Sequence, residues 1–274
     1  MADPEDHSHL ARSLEGVRVL VTGASSGIGA AIATALCGHG ASVALAARPN
    51  GRLHDVVARL RAGGSRAWSV ALDVRDPPSV TLAVRATLLA LGGVDVVVNN
   101  AGIGMRTVDE RFFERPQPFF EVLPAQFAEV VATNLTGYFL VARAFTPCFL
   151  QQGRGRFVNV SVNRETMVRR GFAPYGPSRA GSEALSMVMA EDLRPYGIAV
   201  NVLAPGGPTD TGMIPAAVPD AVRRRLLPPE VMGPPAVFLC SPEADGLTGA
   251  RLVATEFDTW LAAYVADRSG AADR

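Results

Sequence analysis

The fold is decided by one stretch, Thr22-Gly23-Ala24-Ser25-Ser26-Gly27-Ile28-Gly29, which joins an apolar run to a helical pattern. Gly23 permits a tight turn, Gly27 lets the backbone approach a pyrophosphate, and Gly29 lets the helix pack against the strand. A phosphate would then lie on free backbone N–H groups at the positive end of the helix dipole. The strand–turn–helix context distinguishes this stretch from an ordinary glycine-rich loop.

Short apolar runs alternate with helical patterns along the rest of the chain. The runs are nearly continuous in apolar residues, as is typical of strands buried on both faces, and they cover residues 18–21, 42–46, 68–72, 94–98, 156–160, 198–203 and 251–254. The helical patterns cover residues 28–39, 53–62, 80–91, 124–152, 175–195 and 229–240. Because such alternation produces right-handed βαβ units, the sequence predicts an α/β fold of the Rossmann type. It should be doubly wound, with a seven-stranded parallel sheet flanked by helices on both faces.

Length and composition fit one domain of this kind. The chain has 274 residues, of which 48% are hydrophobic, so it can bury a substantial core. We expect a single domain over residues 14–267, with flexible tails at residues 1–13 and 268–274.

Charge and residue types argue against several classes of function. The formal net charge is zero, which provides no electrostatic basis for binding nucleic acid or an anionic membrane. No apolar run is long enough to cross a bilayer, and the polar start lacks a signal-peptide core, so we expect a cytoplasmic protein. Its three widely separated cysteines indicate free thiols, and its four histidines show no metal-ligand pattern. All 26 basic residues are arginine, and the chain contains no lysine.

Further motifs follow the glycine-rich turn in a fixed order along the chain. They are Asp73-Val74, Asn99-Asn100-Ala101-Gly102, Asn134 in Asn134-Leu135-Thr136-Gly137, Tyr175, Pro205-Gly206 and Thr248-Gly249. Together with the Gly-x-x-x-Gly-x-Gly spacing that starts at Gly23, they make the chain resemble the short-chain dehydrogenase/reductase family over residues 16–258.

The resemblance implies a nicotinamide dinucleotide cofactor. Asp73 would bind the adenine amino group, the turn at 99–102 would line a ribose, and Thr209 or Thr211 would touch the nicotinamide carboxamide. The expected cofactor-binding residues are Gly23, Ser25, Ser26, Gly27, Ile28, Gly29, Arg48, Asp73, Val74, Asn100, Ala101, Gly102, Tyr175, Arg179, Pro205, Gly206 and Thr209.

The end of the second strand indicates which dinucleotide is bound. An acid there binds the ribose 2′-hydroxyl of NAD, whereas an arginine accommodates the 2′-phosphate of NADP. The chain has Arg48 and no acid at this point, which favours NADP(H) over NAD(H). The alternative is that Arg48 stacks on adenine or faces solvent.

Tyr175 is the expected proton donor, with Asn134 as a further member of the catalytic set that the resemblance implies. In the family, a lysine four residues after the tyrosine assists it and binds the nicotinamide ribose. This chain has Arg179 there, one helical turn after Tyr175. A guanidinium is a permanent cation that can stabilise a phenolate, but it is bulkier than an ammonium and cannot release a proton.

The serine that polarises the substrate carbonyl in the family also differs. It usually lies thirteen residues before the tyrosine, where this chain has Val162. Because strand five ends here, a bulge could bring Ser161 or Asn163 into the site, and the Asn163 amide can donate a hydrogen bond. The alternative is that Ser161 supports the sheet and that Asn163 is a turn residue, with neither acting on the substrate.

A long stretch at residues 103–126 carries Phe112, Phe113, Phe119 and Phe120. It could cover the substrate site as a lid, or form a surface loop or a dimer contact. Residues 207–228 correspond to the family's mobile substrate loop.

Three functions remain open from the sequence. The first is an oxidoreductase that interconverts a carbonyl and an alcohol on a small organic substrate by hydride transfer. The others are a degenerate member that binds dinucleotide as a sensor or scaffold, and a non-redox dehydratase or epimerase. The resemblance also implies a homodimer or homotetramer.

Overall fold

The computed structural model describes residues 14–215 and 218–272, and in these residues the chain forms one parallel sheet. Its order is β3-β2-β1-β4-β5-β6-β7. The strands are β1 (Arg18–Thr22), β2 (Ser42–Ala47), β3 (Ala67–Ala71), β4 (Val96–Asn99), β5 (Gly155–Val160), β6 (Ile198–Ala204) and β7 (Arg251–Val253). The predicted doubly wound, seven-stranded parallel sheet is therefore confirmed.

Helices connect the strands and cover both faces of the sheet. They are α1 (Gly27–Gly38), α2 (Gly51–Ala62), α3 (Pro77–Leu91), α4 (Pro124–Val131), α5 (Gly137–Gln152), α6 (Arg164–Met167), α7 (Tyr175–Leu193), α8 (Asp220–Arg223), α9 (Gly233–Cys240) and α10 (Phe257–Ala272). No helix in the described ranges is both long and apolar enough to cross a bilayer.

Two apolar cores lie on opposite faces of the sheet. Alternate residues of β1 serve both of them, since Val19 and Val21 belong to one core and Leu20 to the other. The first core includes Ile32 of α1 and the second includes Phe145 of α5. This arrangement explains why most residues of the central strands are apolar: both faces of these strands are covered.

The helix predicted over residues 124–152 is divided by a π-helical turn. This turn, Ala132–Thr136, separates α4 from α5 and contains Asn134. A π turn accommodates one extra residue in the helical path, and such turns are frequent at functional sites. Its sequence is helical in pattern, so periodicity alone predicts a continuous helix.

The C-terminal helix α10 was not predicted. It includes residues 268–272, which the sequence analysis assigned to a flexible tail at 268–274. The helix is held by aromatic packing, with the rings of Trp260 and Tyr264 lying 5.6 and 5.5 Å from that of Phe238 in α9. In addition, Arg268 donates to the Tyr264 hydroxyl. The other tail, at residues 1–13, lies outside the described residues.

Candidate active site

A cleft of about 920 Å³ lies at the carboxyl ends of the central strands. The strand order reverses between β1 and β4, and such a switch point is where open parallel sheets bind ligands. The expected site residues that line this cleft are Gly23, Ser25, Ser26, Gly27, Ile28, Gly29, Arg48, Asp73, Val74, Asn100, Ala101, Gly102, Ser161, Asn163, Tyr175, Arg179, Pro205 and Thr209. Asn134 and Gly206 are not part of the lining.

The glycine-rich turn forms a tight cradle in which two of the glycines leave no room for a side chain. Gly23 has a φ of +67°, and a Cβ placed there would lie 2.7 Å from the Cα of Ala101. A Cβ on Gly29 would collide with the carbonyl oxygen of Gly23. Ser26 precedes α1 without a side-chain capping bond, so the first N–H groups of the helix remain available to a ligand. The turn thus has the shape and polarity of a pyrophosphate site.

A second turn, residues 99–102, is fastened to the end of β1. The backbone N–H groups of Asn100 and Ala101 both donate to the Thr22 hydroxyl at 3.0 Å. The Asn100 side-chain amide donates to the Thr22 carbonyl at 2.9 Å. These bonds hold the two turns side by side, and together they form the floor of the cleft.

Asp73 lies at the end of the cleft expected to bind adenine, and it is paired with Arg75. Hydrogen bonds from Arg75, at 3.0 and 2.7 Å, hold the pKa of the Asp73 carboxyl below its ordinary value. The carboxylate is therefore ionised at neutral pH. Sequence reasoning missed this partner, although the two residues are only two positions apart.

Positive charge surrounds the end of β2. Arg48 and Arg52 both line the cleft there, and Arg48 also acts on the pKa of Asp73. The helix α2 begins after its N-cap residue Asn50, whose side chain accepts a hydrogen bond from the Leu53 N–H at 3.0 Å. Its first turn brings the guanidinium of Arg52 to the cleft. Sequence analysis did not identify Arg52, because its place in this turn becomes clear only from the structure.

Tyr175 is the first residue of α7 and lies in the wall of the cleft. Asn134 lies behind it and is fully buried. The Asn134 amide donates to the Ile103 carbonyl at 2.9 Å and to the Ser178 hydroxyl at 3.0 Å, and it accepts from the Ile103 N–H at 2.9 Å. Ser178 in turn donates to the Tyr175 carbonyl at 2.7 Å. Asn134 therefore joins the chain after β4 to the first turn of α7.

Arg179 is buried, with 3% of its surface exposed, and lies between two tyrosine rings. Its Cζ is 5.5 Å from the ring centroid of Tyr138 and 5.6 Å from that of Tyr175. Burial acts to lower the pKa of Arg179, but the phenolic oxygens of both tyrosines outweigh it, and the pKa stays above the usual arginine value. The start of α7 therefore places a fixed positive charge beside Tyr175.

The segment after β5 brings three residues to the cleft, and Val162 occupies the expected serine position. The Ser161 hydroxyl is buried without a hydrogen-bond partner. The Asn163 amide donates to the Gly206 carbonyl at 2.9 Å. The Val162 carbonyl accepts from Arg251 of β7 at 2.7 Å, which fixes the backbone at this point. The Ser161 hydroxyl hydrogen therefore has no acceptor among the described residues, and the Asn163 amide has a second hydrogen besides the one bonded to Gly206.

The other end of the cleft is walled by apolar side chains. Met105, Phe112 and Phe172 form a small buried cluster against which Tyr175 packs. The ring of Phe172 lies 6.5 Å from that of Tyr175 and 5.9 Å from that of Phe112. A substrate that reaches Tyr175 is therefore in contact with aromatic surface.

The long stretch at residues 103–126 contributes to this wall with its first half only. Arg106 donates to the Gly212 carbonyl at 2.7 Å, which ties the stretch to the substrate loop. By contrast, Phe119 and Phe120 are 75% and 73% exposed. The first half thus covers the cleft and the second half lies on the surface.

Comparison with known proteins agrees with this geometry. The family model described as short chain dehydrogenase matches residues 17–221. The chain is 34% identical to a gluconate 5-dehydrogenase of Gluconobacter oxydans, over 71% of this chain and 72% of that protein.

Two solved structures share both fold and sequence with the chain. A short chain dehydrogenase from Burkholderia cenocepacia in complex with NADP has a TM-score of 0.76 and 32% identity, over 88% of this chain and 97% of that one. A 3-ketoacyl-(acyl-carrier-protein) reductase from Brucella melitensis complexed with NADH has a TM-score of 0.77 and 30% identity, over 87% and 96% of the two chains.

Proposed function

The chain belongs to the short-chain dehydrogenase family and is an oxidoreductase, and we propose that it uses NADP(H) to interconvert a carbonyl and an alcohol on a small organic substrate. The observation that carries the proposal is one continuous cleft. It has the glycine cradle at one end, Tyr175 in its wall, and the apolar cluster at the other end.

The residues present fit a dinucleotide. Gly23 and Gly29 allow the tight turn that a pyrophosphate site needs, since any Cβ there would collide with backbone, and the uncapped start of α1 supplies N–H donors. The turn at 99–102 and Pro205 would hold the remainder of the cofactor. When bound, the nicotinamide supplies the hydride or accepts it.

Tyr175 is proposed to donate the proton that the carbonyl oxygen needs as hydride arrives at its carbon. In the alcohol-to-carbonyl direction the Tyr175 oxygen receives that proton. The fixed cation of Arg179 favours the phenolate that exists between the two events. Asn163 is the preferred donor to the carbonyl oxygen, with Ser161 as the alternative. The phenyl rings of Phe112 and Phe172 exclude water around the reacting groups.

Replacing the Tyr175 hydroxyl tests this assignment. The protein is first assayed against a panel of ketones, aldehydes and alcohols by NADPH absorbance, and Tyr175→Phe is then compared with it. We expect kcat to fall by about 10²- to 10⁴-fold, since that is the usual contribution of a general acid, while the Kd for NADPH weakens by no more than about 10-fold, the loss of one hydrogen bond among many contacts. Turnover retained in Tyr175→Phe would refute the role of Tyr175.

The preference for NADP(H) is supported by Arg48 and Arg52 beside the end of β2. Solved relatives include complexes with NADP and with NADH, so family membership is compatible with either cofactor. A charge-assisted hydrogen bond to a phosphate contributes about 1.5–3 kcal/mol. We therefore expect Arg48→Ala to weaken NADPH binding by about 10- to 100-fold and NADH binding by less than about threefold. Both are measured by fluorescence titration.

Arg85 of α3 offers the matched control, since it is exposed and does not line the cleft. Arg85→Ala should leave both affinities unchanged. Equal losses for NADPH and NADH in Arg48→Ala would contradict the preference.

The protein is also proposed to form a homodimer or homotetramer through helices α4, α5 and α7. The exposed apolar residues on these helices include Phe127, Phe139, Leu150 and Val188. Light scattering coupled to size exclusion tests this, and a monomer at micromolar concentration would contradict it.

Since all three cysteines are free thiols, we further propose a reducing, cytoplasmic location.

A further inference from the structure

Arg179 is anchored on the side that faces away from the cleft. Its Nη1 donates to the Tyr138 hydroxyl at 2.7 Å and to the Val160 carbonyl at 3.0 Å. The Tyr138 hydroxyl in turn donates to the same Val160 carbonyl at 2.9 Å. The three groups form a closed triangle of hydrogen bonds, and both side chains are almost entirely buried.

The other nitrogens of the guanidinium are differently placed. Nη2 lies against the backbone of Gly102, where any Cβ would collide with it. Nε is buried without a hydrogen-bond partner. Nη1 is therefore the anchored nitrogen, and Nη2 is the one beside Gly102, which lines the cleft together with Arg179.

No carboxylate among the described residues forms an ion pair with this buried cation. A buried charge is destabilising unless polar groups compensate it. The Tyr138 hydroxyl and the Val160 carbonyl accept hydrogen bonds from it, and the oxygen of Tyr175 also stabilises the charge. Of the two acceptors of Nη1, only the Tyr138 hydroxyl belongs to a side chain and can be changed by substitution.

We propose that Tyr138 is the positioning residue for Arg179, and that the two side chains act as a matched pair in the place where the family has a single lysine. The guanidinium has two terminal nitrogens, so it can be anchored at one and face the cleft with the other. A lysine ammonium donates all its hydrogen bonds from a single nitrogen, so it cannot place donors at two separate points as a guanidinium does. Tyr138 therefore fixes the cation beside Tyr175 without touching the substrate. The catalytic part of this proposal rests on the proposed function.

A double-mutant cycle tests the pair. It uses Tyr138→Phe, which removes one hydroxyl, together with Arg179→Lys and the double variant. With Arg179 present, we expect Tyr138→Phe to lower kcat by about 10-fold and Tm by about 5 °C. In the Arg179→Lys background, the same change should lower kcat by less than about twofold and Tm by less than about 2 °C.

The pH profile of kcat separates positioning from general support of the fold. Tyr138→Phe should shift the profile with Arg179 present and leave it unchanged in the lysine background, since a purely structural loss would not move it. Tyr264→Phe is the control, because it also removes a hydroxyl that accepts from an arginine, Arg268, but on α10. It should leave kcat and the profile unchanged.

Equal effects of Tyr138→Phe in both backgrounds, on kcat and on Tm, would overturn the proposal. A wild-type protein that binds NADPH but reduces no carbonyl would instead refute the proposed function. In that case the Tm cycle alone still decides whether Tyr138 fixes Arg179, because it requires no turnover.

Discussion

Comparing alanine substitutions at Gly23 and Gly92 should separate two effects on stability. One is the strain of a positive φ in a residue with a side chain, and the other is the steric crowding within the glycine-rich turn. Gly23 and Gly92 both have left-handed φ values, +67° and +70°. A Cβ on Gly23 would lie 2.7 Å from the Cα and 3.0 Å from the N of Ala101, whereas a Cβ on Gly92 would meet nothing within 4 Å. Alanine at either position thus carries the strain of a positive φ, but only Gly23→Ala also adds a steric collision.

The expected magnitudes follow from this difference. The left-handed conformation costs an alanine about 1–2 kcal/mol, which lowers Tm by about 2–4 °C per kcal/mol in a domain of this size. Gly92→Ala should show that loss alone. At Gly23 the new Cβ, whose position is fixed by the backbone, collides with backbone atoms of Ala101, so no side-chain rotation relieves it and the two turns must separate. We expect at least twice the fall in Tm and a Kd for NADPH weakened by about 10-fold or more.

Differential scanning fluorimetry gives the two Tm values, and fluorescence titration gives the affinities. Gly92→Ala should bind NADPH like the unmodified protein. If both variants lose the same Tm and Gly23→Ala binds NADPH normally, the cradle is not set by contact with Ala101 and the reasoning is refuted.

Two further predictions concern the scaffold. Burial acts to raise the pKa of Asp95, but hydrogen bonds from Arg18 at 2.8 and 2.9 Å outweigh it, and the pKa is lowered. The pair therefore stabilises the fold above the unfolded pKa of about 3.9 and loses this effect as pH falls through the folded value. Asp95→Asn should reduce the free energy of unfolding by about 1–2 kcal/mol at pH 7. Denaturant titrations should show that this difference from the unmodified protein becomes smaller below pH 4. A difference that stays constant with pH would exclude an ionic origin. Burial raises the pKa of the Cys37 thiol to about 11 and that of the Cys240 thiol to about 12. A thiol reagent should therefore label the half-buried Cys148 first. Equal labelling rates for all three cysteines in the native protein would contradict this burial.

The sequence predicts the sheet and the cradle well because both depend on local patterns. Apolar runs reveal strands covered on both faces, and a glycine such as Gly23 is the residue that a turn with positive φ favours. The same reasoning predicts the position of Tyr175 at the start of a helix.

Contacts between distant segments are what the sequence could not supply. Tyr138 and Arg179 are 41 residues apart, and nothing in either local pattern indicates that they pair. The π turn around Asn134 has an ordinary helical pattern and is recognised only from the structure, where the Asn134 amide also bonds the backbone of Ile103. Which of Ser161 and Asn163 acts on a carbonyl was open from the sequence, and the site retains both as candidates.

The order in which the chain is synthesised has a consequence for when the active site is complete. Arg251 lies on the last strand, pairs with Glu183 of α7, and holds the Val162 carbonyl beside the cleft. A nascent chain that ends at the close of β6 already contains the cradle and Tyr175, but it lacks this support. Because domains generally fold as units as they leave the ribosome and β7 belongs to this one sheet, the wall next to Tyr175 becomes fixed only after residue 251 has emerged.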